Sequence, residues 1–339
     1  MYRHVLKSIR LRNLMGNLTL VAVSILLTLL LAEAALRVFD MFPPPDPKPR
    51  RPNLFTSDAV TGYRLKPSLQ TTYHYPPDSP VAIPLVSNSL GFRENRELFE
   101  EDPRTRILVV GDSFIFGSGV RSEERISEVM ESMEPAWRVD SMGMPGWGID
   151  SMVRALEHVL PGLKLDSVIL AVYCDDFRRV HPYYAGMGYA ASKYDLVDGE
   201  LVSKPFPVPS GIQNLRLWQA GYRLATNNFL VHDRFDINAA LLERFMELSE
   251  NHEFEPVILF LPGKTDTPIH KRERAFLNTW TSERSVPYLD LTPVIHGAGV
   301  SNTYIAGNWH WNPEGHRIAA EAVLDFVKAT QRQQYAAQK

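Results

Sequence analysis

The chain has 339 residues, 45% hydrophobic and 22% charged, enough apolar material for one large core with attachments. Its formal net charge of −3 offers no basic surface for nucleic acid. The single cysteine, Cys174, excludes an intrachain disulfide, and its place at the end of an apolar run reads as a small buried hydrophobe.

Residues 1–12 form a basic tail with Arg3, Lys7, Arg10 and Arg12 and no acidic residue. Residues 13–36 follow as an apolar stretch, uncharged from Asn13 to Ala32, which as a helix is just long enough to cross a bilayer. The basic tail favours a cytoplasmic N-terminus and an uncleaved anchor. Ala32-Glu33-Ala34 also fits a signal-peptide cleavage site, the second reading. Both put the remainder outside the cytoplasm, in the periplasm if the cell is Gram-negative, with the lipid bilayer as a partner of the N-terminal helix. Residues 37–52 include Pro43-Pro44-Pro45-Asp46-Pro47-Lys48-Pro49, a stiff polyproline linker. Residues 53–104, rich in Pro, Tyr and Ser, read as an extension packing on the main domain, with Asn88-Ser89-Leu90-Gly91-Phe92-Arg93 as a turn leading into it.

The main domain spans 105–331. Short apolar runs predict strands at 107–111, 137–141, 167–173, 256–262 and 287–291. Helical spacing predicts helices at 122–133, 149–160, 237–251, 267–283 and 313–331. Strands that are apolar on both faces, alternating with helices, imply a three-layer α/β/α domain around a mostly parallel five-stranded sheet. Ligands of such sheets lie beyond the carboxyl ends of the strands. Residues 177–235 interrupt the alternation as a long insertion. Within it, 194–202 reads as a hairpin turning at Asp198-Gly199, and Tyr184, Trp218 and Tyr222 supply aromatic rings. The insertion reads either as a substrate cap, with Tyr184 and Trp218 as binding residues, or as packing on the sheet.

The chemistry centres on Gly111-Asp112-Ser113-Phe114, directly after the apolar run Ile107–Val110. A strand ending in a tight turn would set Ser113 at a helix start, beside unpaired backbone N–H groups. Downstream come Met144-Pro145-Gly146-Trp147-Gly148, Tyr173-Cys174-Asp175-Asp176 and His310-Trp311-Asn312-Pro313. In this order the segments resemble the four blocks of the SGNH/GDSL hydrolases, a family of serine esterases, lipases and carbohydrate acetylesterases or acyltransferases. The resemblance covers roughly residues 105–330 and implies a flavodoxin-like SGNH fold. Similar Asn-x-x-Gly-Phe-Arg stretches precede the serine block in membrane-linked relatives. It further implies Ser113 as nucleophile and His310 as base, with backbone N–H groups of Ser113 and Gly146 as oxyanion donors.

Two blocks depart from the family pattern. Asp175 stands where relatives place a donor Asn, and an ionised carboxylate cannot donate to an oxyanion. Where relatives carry an Asp before the histidine, this chain has Gly307 and Asn308. Asn308 can still orient the imidazole by accepting its N–H, without supplying charge. Asp290 offers a weaker rescue, more simply read as a cap or a salt bridge. No metal-ligand spacing, phosphate loop or dinucleotide fingerprint appears, so no cofactor or metal is expected. The expected function is an exported serine ester hydrolase or O-acyltransferase acting on an acylated saccharide or another small ester through an acyl-enzyme. The alternative is a catalytically inactive domain that binds glycans or serves as an envelope scaffold.

Overall fold

The computed structural model describes residues 2–44, 48–181, 184, 186–189, 192–206, 208–228 and 231–337. Pro45, Asp46 and Pro47 of the expected linker lie outside them. The chain forms two compact units, Met1–Asp46 with Pro207–Val231, and Pro47–Phe206 with His232–Lys339. The stretch expected to be one insertion, 177–235, is therefore shared between the two.

The smaller unit holds a long helix, Tyr2–Val38, and a shorter one, Arg216–Asn228. Within the long helix, the most apolar 18-residue window of Asn13–Val38 has a mean hydropathy of 2.3 and none of it is buried. It is long and apolar enough to cross a membrane.

The larger unit begins with two antiparallel hairpins, β1 (Phe55–Asp58) with β2 (Gly62–Leu65) and β3 (Gln70–His74) with β4 (Ala82–Val86). The central sheet follows with β5 (Thr105–Gly111), β6 (Trp137–Gly143) and β7 (Ser167–Tyr173). After a separate hairpin, β8 (Lys193–Val197) with β9 (Glu200–Lys204), the sheet is completed by β10 (Glu255–Leu261) and β11 (Tyr288–Asp290). Its order is β11-β10-β7-β5-β6 and every pairing is parallel. The five strands fall where the apolar runs place them. Every residue of β6 and β7 is buried, and so is all of β5 after Thr105, as a sheet covered on both faces requires. Because β6 and β7 lie on opposite sides of β5, the topological switch point sits at the carboxyl end of β5, where Ser113 begins the next helix.

Helices Ile149–Val159, Val231–His252, Pro268–Arg284 and Pro313–Ala337 overlap their expected positions. Proline opens the helices at Pro268 and Pro313, where its missing N–H leaves no intrahelical bond unmade. The helix expected at 122–133 is broken instead. A 3₁₀ turn, Ser122–Glu124, is followed by an α-helix, Ile126–Met133, with Arg125 extended between them. The break lets the buried Arg125 guanidinium reach the Arg93 carbonyl, Glu94 and Glu128.

Candidate active site

At the end of β5 the backbone turns into a single-turn helix, Ser113–Phe116. Asp112 caps it by accepting the Phe114 N–H at 2.9 Å. This carboxylate is fully buried and forms an ion pair with Arg179 at 2.7 Å. Arg179 also binds Asp176 and the Trp147 carbonyl, so one guanidinium ties the serine turn to the ends of β6 and β7. Burial opposes its charge, yet Asp176 and Asp112 hold its pKa well above the ordinary value.

The other end of the short helix is held from the N-terminal extension. Arg93 donates to the carbonyls of Phe116 at 3.0 Å, Gly117 at 2.7 Å and Val120 at 2.9 Å. Burial lowers its pKa to about 10, which leaves it cationic at neutral pH. The Asn88–Arg93 stretch is thus a shaped turn. Asn88 Oδ1 accepts the N–H groups of Leu90 and Phe92, and Gly91 adopts φ +77° where a Cβ would strike the Leu65 carbonyl.

His310 faces the serine across the carboxyl edge of the sheet. Its Nε2 lies 2.8 Å from Ser113 Oγ, closer than the 3.2 Å from Oγ to Asp112. On the other side of the ring, Nδ1 lies 2.9 Å from Asn308 Oδ1 and 2.7 Å from Tyr75 Oη. The Asn308 oxygen also accepts the N–H groups of Trp309 at 2.7 Å and His310 at 3.1 Å, which fixes which end of the amide faces the ring. The Asn308 amide oxygen can only accept, so the proton lies on Nδ1, with Tyr75 Oη as a second acceptor, leaving the Nε2 lone pair to accept from Ser113. Burial lowers the His310 pKa to about 4, opposed by Asp112 and reinforced by Arg179. Tyr75 stands edge-on to the imidazole, 5.1 Å between ring centres. Burial raises its pKa, with an Asn308 hydrogen bond opposing, so it is a neutral phenol at neutral pH.

Residues Met144 to Trp147 close a turn through the Trp147 N–H and the Met144 carbonyl at 3.1 Å, with Pro145 second and Gly146 third at φ +86°. This is type II turn chemistry. Tyr63 donates to the Pro145 carbonyl at 2.6 Å. Holding that oxygen fixes the Pro145–Gly146 peptide plane, and with it the direction of the Gly146 N–H, which points opposite to the carbonyl. Gly143, at the end of β6, packs so tightly that a Cβ would lie 2.2 Å from the Phe116 backbone nitrogen.

The remaining expected residues are placed as follows. Asp175 forms an ion pair with Arg178 and is partly exposed. Tyr184 is half-buried with its hydroxyl near Gly146, where it would lie 3.3 Å from a Cβ. Trp218 belongs to the smaller unit, stacked on Tyr222 at 4.8 Å between ring centres. Asp290 accepts the Thr292 N–H and pairs with Arg274, the cap and salt bridge of its simpler reading. Beyond the expected set, His316, in the first turn of the last helix, is buried against Trp311. The fold also gathers Cys174, Asp175 and His270, which are distant in sequence, with candidate ligand atoms within 4.8 Å of one another. Each is in a setting that disfavours ligation. Burial raises the Cys174 thiol pKa, Arg178 holds Asp175, and His270 Nδ1 lies 2.9 Å from the Thr265 carbonyl.

Sequence reasoning missed Tyr75, Tyr63 and Arg179. The two tyrosines lie in an extension without periodicity, and Tyr75 meets a histidine 235 positions away. Arg179 did carry a signal, as a basic residue shortly after an Asp-Asp pair at a strand end.

No family model matches the chain, and no curated protein matches it. Solved structures do resemble it. An esterase, EstA, from Pseudoalteromonas sp. is 12% identical with a TM-score of 0.45, covering 67% of this chain and 99% of its own. A carbohydrate acetylesterase family member from Sinorhizobium meliloti is 14% identical with a TM-score of 0.40, covering 66% and 98%. A member of the lipolytic protein G-D-S-L family from Veillonella parvula is 12% identical with a TM-score of 0.41, covering 65% and 97%.

Proposed function

We propose that the larger unit is a serine ester hydrolase or O-acyltransferase. The observation that carries this reading is the 2.8 Å contact between His310 Nε2 and Ser113 Oγ, in the tautomer that lets nitrogen accept the hydroxyl proton. Ser113 Oγ attacks the ester carbonyl carbon while its proton passes to His310 Nε2. The carbonyl oxygen gains negative charge and is held by the backbone N–H groups of Ser113 and Gly146. Collapse of this intermediate breaks the bond to the alcohol, which leaves with the proton from Nε2, and the acyl group stays on Ser113. Water, or a sugar hydroxyl, then repeats the steps in reverse order and takes the acyl group.

Asn308 and Tyr75 orient the imidazole in place of an acid. Asp175, engaged with Arg178, contributes no donor to the oxyanion. Tyr184 lines the approach at Gly146. The substrate we assign is an acylated saccharide, following the motif resemblance, and the unit works outside the cytoplasm, tethered by the helix Tyr2–Val38. The Asp175–Arg178 pair favours a second reading, a glycan-binding domain that has lost catalysis along with its third donor.

A fluorophosphonate probe separates the two. Under the enzyme reading the full-length protein in detergent is labelled, and Ser113→Ala is folded but unlabelled. A folded wild type that resists labelling would leave the binder.

A further inference from the structure

The helix Arg216–Asn228 has no role in the proposed chemistry, yet it is tied to the end of the long apolar helix. Twenty uncharged residues separate Arg12 from Glu33, about 30 Å of helix and so the thickness of a hydrocarbon core. Glu33 then falls at the level of the headgroups. Its carboxylate accepts the backbone N–H groups of Arg216 at 3.0 Å and Leu217 at 2.9 Å, the first residues of the shorter helix. These are the donors a helix start leaves without intrahelical partners, and a carboxylate is the favoured group there. Arg216 adds an ion pair to Asp40 at 2.9 Å and a hydrogen bond to the Met41 carbonyl at 3.1 Å. The shorter helix is thereby held beside the last turns of the long one.

The surface of this unit is apolar out of proportion to its size. Beyond Leu31, seven of the thirteen exposed large apolar side chains among the described residues belong to it. Val208 is 75% exposed, Ile212 69%, Leu224 61% and Phe39 74%. An exposed patch of this kind marks a contact surface. Trp218 and Tyr222, stacked on the same helix, are the residue types that settle where lipid meets water. The sequence Arg216-Leu217-Trp218-Gln219-Ala220-Gly221-Tyr222-Arg223-Leu224 mixes apolar and basic residues as interfacial helices do.

We infer that the segment 208–228 is a second membrane element, lying in the bilayer interface with Ile212 and Leu224 in lipid, docked on the spanning helix through Glu33. The occupant of the apolar surface is the bilayer, because the surface continues from the helix that crosses it. The inference rests on reading Tyr2–Val38 as an anchor. It gives Trp218 a lipid contact in place of a substrate.

The test uses the full chain in phosphatidylcholine–phosphatidylglycerol nanodiscs, with a nitroxide at Leu224→Cys or, separately, Ile212→Cys. The one native cysteine, Cys174, is buried. Collisions with oxygen report lipid, and collisions with a neutral nickel chelate report water. Labels at Leu26→Cys, in the apolar stretch, and Val197→Cys, exposed in the β8–β9 hairpin, set the two limits. The expected result is an oxygen-to-nickel ratio at both test sites severalfold above that of Val197. A ratio equal to that of Val197 at both sites overturns the inference. So does a label immobile and shielded from both reagents, the mark of a protein partner or a second copy. A water-like label at Leu26 would sink the anchor reading, independently of what Leu224 and Ile212 report.

Discussion

Around Ser113 the fold buries two carboxylates and a guanidinium, Asp112, Asp176 and Arg179, whereas the partners of His310 Nδ1 are an amide and a phenol, Asn308 and Tyr75. Both sides hold their residue in place, but by different physics. The serine turn is fixed by ion pairs in a low-dielectric setting, where losing one partner strands the others. The imidazole is fixed by neutral hydrogen bonds, each worth far less and each leaving the ring uncharged. The difference teaches that position and charge are separate services. A carboxylate beside a catalytic histidine provides both, and here only position is kept.

The largest expected effect is on the bond between the two sides. Ser113→Ala removes the nucleophile, and ester turnover should fall by about 10⁶-fold, to background. Circular dichroism should show an unchanged fold, since the partners of Ser113 Oγ, Asp112 and His310, are each held by other groups as well. Next comes the charged side alone. Arg179→Met leaves Asp112 and Asp176 buried without their cation and should destabilise the larger unit by about 3–5 kcal/mol in denaturant titration. A loss below about 1 kcal/mol would mean that the serine turn is held by Arg93 and packing instead.

The neutral side makes its own prediction in pH. Burial keeps His310 neutral down to about pH 4 and His316 to about pH 3. The acid limb of kcat/KM should therefore fall near pH 4 rather than near 6.5, the ordinary histidine value. Stability behaves differently. In the unfolded chain both imidazoles take up protons below about 6.5, while the folded protein does not until the pH is far lower. The unfolded state thus binds more protons between pH 6.5 and 4, and stability falls as the pH falls through that window. Asn308→Asp would place a carboxylate beside Nδ1, so the acid limb should move up from pH 4 and turnover should rise. An unchanged limb would show that the Asn308 side chain does not face the working imidazole.

The same contrast explains how much could be read from the sequence. Most of the sheet was legible because strands buried on both faces are mainly apolar, as Ile107–Val110 and Val168–Val172 are, while β6 buries the ion pair of Arg138 and Asp140. The pairing of Ser113 with His310, and the place of Gly146, were suggested by motif order. The charged brace was half visible, since Asp112 and Asp176 sit in recognisable blocks while Arg179 is marked only by following the Asp-Asp pair. The neutral brace was invisible. A tyrosine in a Pro-rich extension has no periodicity to place it, and only the completed fold brings β3 and the residues after it to the last loop. Trp218 is hard to assign for a related reason, as an aromatic residue in an insertion looks alike whether it meets substrate, core or lipid.

The smallest expected effect isolates Tyr75 from Asn308. Tyr75→Phe keeps the ring that stands edge-on to the imidazole and removes only the hydroxyl 2.7 Å from Nδ1. With Asn308 still accepting the Nδ1 proton, kcat should fall about fivefold, the scale of one neutral hydrogen bond, with KM unchanged. The imidazole itself supplies the decisive reading. In ¹⁵N spectra of histidine-labelled protein, His310 should shift from a nearly pure Nδ1–H tautomer toward a mixture, because one of two oxygens favouring that proton is gone. A residue that merely packed would leave the tautomer untouched, and unaltered ¹⁵N signals with wild-type kcat would assign the whole orienting role to Asn308.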